Sequence, residues 1–104
     1  MKECIVVLVS AKDEDEAAHI ATALADKNLA ACCNIIKGVR SIYRWEGVIE
    51  DGVEALLVIK SRRELFSALE AEVKRLHSYS TPEIVALPII EGSEAYLSWI
   101  EKST

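Results

Sequence analysis

Residues 4–9 read Cys-Ile-Val-Val-Leu-Val, an apolar run rich in β-branched side chains and too short for a stable helix, which predicts a strand. After Ser10-Ala11-Lys12, Asp13 with Glu16 three residues on has the layout of a helix start. Glu14, Asp15 and Glu16 are placed at the positive end of the helix dipole. Ala17, Ile20, Ala21 and Leu24 recur at helical spacing as one thin stripe, which Asn28 ends as a left-handed cap. Residues 31–45 return to strand character, with Gly38 as a bulge or bend inside them. Glu46-Gly47 and Glu50-Asp51-Gly52 both carry turn chemistry, and residues 55–59 come back as the partner strand of a hairpin.

Ser61 is placed to cap a second helix, in which Leu65, Leu69, Val73 and Leu76 share one face. A polar loop, His77-Ser78-Tyr79-Ser80-Thr81-Pro82, precedes a last strand over residues 83–90, where Pro88 implies an edge or a bend. Ser93 then opens a short helix carrying Tyr96, Trp99 and Ile100. The order β-α-β-β-α-β plus a terminal helix predicts an α/β (α+β) fold of ferredoxin-like, split βαβ type, as one domain over residues 1–104.

Such a sheet has helices on one face, so its strands should alternate apolar with polar. They do not. Ile5, Val7 and Val9 oppose Cys4, Val6 and Leu8, and Ala55, Leu57 and Ile59 oppose Leu56 and Val58, so both faces are apolar. Leaving the second face in water would forgo roughly 1.5 to 3 kcal/mol per large aliphatic side chain. A partner is therefore expected to cover it, most economically another copy of the chain. The hairpin agrees: its tip holds Ile42, Tyr43 and Trp45, which suit an interface better than solvent.

Composition narrows the function. The 104 residues carry 12 basic and 17 acidic side chains, a formal charge of −5, which argues against nucleic acid and anionic lipid as partners. No apolar run approaches the roughly 20 residues that cross a bilayer. Met1-Lys2-Glu3 leads straight into a strand with no room for a secretory leader, so a cytoplasmic location is expected. Cys4, Cys32 and Cys33 fit neither a disulfide framework nor a zinc module and read as small buried hydrophobes. The loop after the first strand lacks the cysteine pair of a copper chaperone, and the third strand lacks the stacking aromatics of an RNA-recognition module. No catalytic motif is present, and a non-enzymatic protein is expected.

The distinctive segments are Ala30-Ala31-Cys32-Cys33-Asn34-Ile35, Tyr43-Arg44-Trp45-Glu46-Gly47, His77-Ser78-Tyr79-Ser80-Thr81-Pro82-Glu83 and Tyr96-Leu97-Ser98-Trp99. In kind and order they closely resemble the CutA family of divalent-cation tolerance proteins, over nearly the whole chain. The resemblance implies a PII-like homotrimer with Ile42, Tyr43 and Trp45 at the trimer interface, and binding of copper or another divalent metal ion with no required cofactor. His77 matches the family's loop histidine, and with Glu83 it is the candidate metal site. Val9 stands where some bacterial members carry a cysteine, and Ser78 where the family often has proline. His77 as a cap of the second helix, and Glu83 as an ion-pair partner of Arg44 or Lys60 across a subunit boundary, remain open alternatives. A second functional reading is a signalling trimer whose inter-subunit clefts take a small anionic ligand through Lys60, Arg44 and Tyr79.

Overall fold

The computed structural model describes residues 3–104; Met1 and Lys2, on which the leader argument partly rests, lie outside the described residues. The elements are β1 (Cys4–Ala11), α1 (Glu14–Asp26), β2 (Cys32–Trp45), β3 (Val48–Arg62), a 3-10 turn (Arg63–Leu65), α2 (Phe66–Leu76), β4 (Ile84–Pro88) and α3 (Glu94–Lys102). They form one antiparallel sheet in the order β2-β3-β1-β4, the ferredoxin-like arrangement expected from the sequence.

Ile5, Val7, Val9 and Ala11 of β1 and Ala55, Leu57 and Ile59 of β3 turn toward α1 and α2. They pack there on Ala17, Ile20, Leu24, Leu69 and Val73 in a single core. Local chemistry holds both ends of α1. The Glu16 amide donates to the Asp13 carboxylate (2.8 Å). At the other end Asn28 adopts φ 57°, with Leu29 N–H on the Leu24 carbonyl (2.9 Å) and Asn28 N–H on that of Ala25 (3.1 Å), a Schellman closure. At Gly38 (φ 70°) the β2–β3 register slips between the Ile36↔Leu56 and Val39↔Glu54 pairs, so the bulge forms where the glycine predicts it.

Three boundaries differ from expectation. Glu50-Asp51-Gly52 makes no turn: Glu46 (φ 50°) and Gly47 (φ 80°) alone supply the two left-handed residues of a tight turn. The ladder then runs unbroken from Trp45↔Val48 to Val39↔Glu54, braced by the paired bonds of Arg40 to Asp51 (2.9 and 2.7 Å). Ser61 does not cap α2. It faces the core, fully buried, and donates its hydroxyl proton to the Leu29 carbonyl (2.7 Å), while the 3-10 turn leads into the helix. The last strand is Ile84–Pro88, so Glu83 lies in the preceding loop, and Pro88 sits on an edge strand where a missing N–H is tolerated.

The opposite face carries Leu8 of β1, Leu56 and Val58 of β3, Ile36 of β2 and Val85 and Leu87 of β4. Helix α3 crosses to this side at one end, burying Ile100, bringing the Leu97 carbonyl to the Cys4 thiol (3.8 Å) and placing Thr104 on Arg62. Beyond it the face is bare: Ile36, Val85 and Leu87 are each about half exposed. Because β1 stops at Ala11↔Ala55, the rest of the β2–β3 hairpin projects as an arm, and the molecule measures 44 × 25 × 22 Å.

Candidate functional site

A groove of about 840 Å³ opens between the arm and the loop that follows α2. Ser41, Tyr43 and Trp45 line it from β2, Glu54 from β3, Ser10 from the end of β1, and Tyr79 to Glu83 from the loop. The Gly38 bulge matters here, because it places Tyr43 and Trp45 on the face of the arm that also bears Glu54.

His77 sits beneath this groove. Its side chain is fully buried, with Nε2 2.6 Å from the Ser10 carbonyl and Nδ1 accepting the Tyr79 N–H at 3.0 Å. These partners select the tautomer protonated at Nε2 and occupy both ring nitrogens. His77 is the C-cap residue of α2, its backbone N–H donating to the Val73 carbonyl, while its ring turns to Ser10 and Tyr79. Glu16 completes the support. One oxygen accepts the Lys12 N–H (3.1 Å), the other the Ser78 N–H (3.0 Å), and the carboxylate lies 3.9 Å from Nδ1 of His77. Burial alone would raise the Glu16 carboxyl, but the bonds from Ser78 and Lys12 outweigh it and hold the group below its ordinary value.

Tyr79 continues the chain of contacts. Its ring lies 4.8 Å from that of His77, and its hydroxyl donates to Glu54 at 2.7 Å. Burial first, and then the bond to Glu54, push the Tyr79 hydroxyl well above its usual range, so it stays a neutral donor. Sequence reasoning missed Glu54 and the second task of Glu16. Glu54 carried a signal, being one carboxylate beside the apolar run Ala55-Leu56-Leu57-Val58-Ile59.

The remaining expected residues divide. Glu83 and Tyr79 line the groove, as do Ile42, Tyr43 and Trp45, which are 63%, 46% and 45% exposed. Lys60 and Arg44 do not belong to it. Lys60 contacts Asn34 and pairs across to Val6, six residues or about 20 Å along β3 from Glu54. Arg44 points to the other face of the arm and donates to the Gly47 carbonyl (3.3 Å). Within the protomer neither cation reaches Glu83. Among the described residues no group of three or more His, Cys, Asp or Glu side chains converges as a metal site. The thiols are free; burial raises that of Cys4 and pushes that of Cys33 up to about 11.

Fold and groove together define a small ferredoxin-like domain with a protruding hairpin and a lateral, polar-rimmed groove. Residues 5–103 match the family model described as CutA1 divalent ion tolerance protein, and the chain belongs to that family. It is 48% identical over 99 residues to the divalent-cation tolerance protein CutA of Thermus thermophilus, covering 95% of this chain and 96% of that one. It is 41% identical to the chloroplastic protein CutA of Arabidopsis thaliana, spanning 96% of this chain and 55% of that relative's length. The solved Thermus thermophilus structure superposes with a TM-score of 0.94 at 47% identity, over 100% of this chain and 99% of that one. A structure titled as the periplasmic divalent cation tolerance protein CutA from Archaeoglobus fulgidus gives 0.93 at 40%, covering 96% and 97%. No helix among the described residues is long and apolar enough to cross a membrane.

Proposed function

We propose that this chain acts as a non-enzymatic homotrimer in divalent-cation tolerance. The observation that carries the role is end-to-end similarity to proteins named for it. Assembly is supported by the half-bare sheet: Ile36, Val85 and Leu87 beside Leu8, Leu56 and Val58 form an apolar surface suited to a second copy. The arm adds Ile42, Tyr43 and Trp45 to the surface offered to neighbours. Three free thiols, two of them shielded by burial, favour a reducing compartment and hence the cytoplasm.

In this reading a divalent ion such as copper meets the protein at the groove as its cargo, through Glu83 and Glu54. His77 holds the loop, since both its nitrogens are engaged. Two carboxylates, one of them shared with Tyr79, fall short of the donor set that a tightly held ion requires, and a neighbouring copy would supply the rest. The anionic-ligand reading is not better supported: within the protomer Lys60 and Arg44 stand outside the groove. The test is Cu(II) titration of chelator-stripped protein beside Glu83→Gln and His77→Ala. Weaker binding in Glu83→Gln is expected; equal affinity in wild type and Glu83→Gln would remove the groove as the place of contact.

A further inference from the structure

Beyond the Ala11↔Ala55 pair the arm, residues 39–54, has no strand of the body beside it. Among the described residues, and apart from the two strands that lead into it, one hydrogen bond ties the arm to the rest of the protomer. It runs from the Tyr79 hydroxyl to Glu54, at 2.7 Å. The ion pair of Arg40 with Asp51 and the bond from Arg44 to Gly47 both stay within the arm. The tie falls at the arm's root: Glu54 pairs with Val39, next to the bulge at Gly38. There φ is 70° and a side chain would meet nothing within 4 Å, so no packing on the bulge fixes the angle of the arm.

The other end of the tie is fixed. Tyr79 donates its N–H to Nδ1 of His77 (3.0 Å), and His77 is anchored to the Ser10 carbonyl of β1 (2.6 Å). Glu16 of α1 holds the neighbouring Ser78 N–H (3.0 Å). A rigid post thus grips the strand pair where it bends. Both ends of the tie belong to one chain, and it acts on the segment that carries Ile42, Tyr43 and Trp45 toward a neighbouring copy. We infer that Tyr79 is the latch of the arm: its bond to Glu54 sets the angle at which those three side chains are presented, and self-association depends on it. This rests on the homotrimer reading above and makes the loop after α2 the control point of assembly.

Tyr79→Phe keeps the ring and removes the hydroxyl alone; Glu54→Ala breaks the same bond from the other side. With chelator in every sample, each should weaken self-association about tenfold in light scattering on dilution, the loss expected of one hydrogen bond to a charged group. Tyr79→Phe should add nothing once Glu54→Ala is present. The arm itself is read in Leu87→Asp, which puts a charge on the bare face to keep protomers apart, by residual dipolar couplings of the amides of residues 39–54 against those of the body. One fixed orientation is expected there, and an averaged one when Tyr79→Phe is added, with the far-UV circular dichroism unchanged. Unaltered self-association in both single variants, or an arm equally fixed without the hydroxyl, overturns the latch. A wild type that scatters as a single 11.5 kDa particle overturns the trimer reading and the latch's part in assembly, while the dipolar couplings still decide whether the bond holds the arm.

Discussion

Glu72 shows how one side chain can set the acid limit of the fold. It is 7% exposed, between Lys27 of the α1 cap (3.0 Å) and Arg75 one turn along α2, and these hydrogen-bonded cations, Arg75 foremost, bring its carboxyl from 4.5 down to about 2. Its folded value lies below the unfolded one, so its stabilisation is fully present above about pH 4.5 and is lost as the pH falls toward 2. Glu72→Gln should therefore flatten the loss of stability across that window and leave the slope at neutral pH unchanged, read from urea midpoints at stepped pH. His77→Ala removes the acceptor of the Tyr79 N–H and the partner of the Ser10 carbonyl, and should cost about 2 to 4 kcal/mol in urea unfolding. At this scale the sequence was only partly legible. The resemblance singled out His77, but its partners Ser10 and Glu16 lie 67 and 61 residues away, and only folding brings them together.

Among the elements, helices α1 and α3 and their caps could be read locally, because Asp13, Asn28 and Ser93 act on backbone groups within a few residues of themselves. The hairpin could not. Its sequence holds two turn-like stretches, and the choice between them is made by strand pairing: Glu46-Gly47 closes the ladder in two residues and leaves Asp51 free to grip Arg40. Glu46 takes up a positive φ that favours asparagine over glutamate. Glu46→Asn should stabilise the protein by about 0.5 to 1 kcal/mol, seen as a higher urea midpoint at unchanged slope. Ser61 was misread for a related reason: a serine before a helical stripe looks like a cap, yet its side chain is claimed by the buried Leu29 carbonyl. Ser61→Ala should leave α2 intact by circular dichroism while costing about 1 to 3 kcal/mol for the unpaired carbonyl.

For the molecule as a whole, the doubled apolar character of β1 and β3 was visible in the sequence and foretold a surface in need of cover. The crossing of α3 onto one end of that surface was not, since no local pattern tells a terminal helix which side to take. Leu87 offers a direct test, being half exposed in the protomer on the bare face. Leu87→Asp should leave the protomer folded but weaken self-association by at least about a hundredfold, because a carboxylate would have to be dehydrated on docking. Light scattering would then report a particle near 11.5 kDa. The extra residue at Gly38 has a wider consequence. Strand side chains point up and down by turns, so deleting that one glycine would roll the far half of β2 over like a card. Tyr43 and Trp45 would trade places with Ile42 and Arg44, and a chain only one residue shorter would turn the opposite side chains toward Glu54.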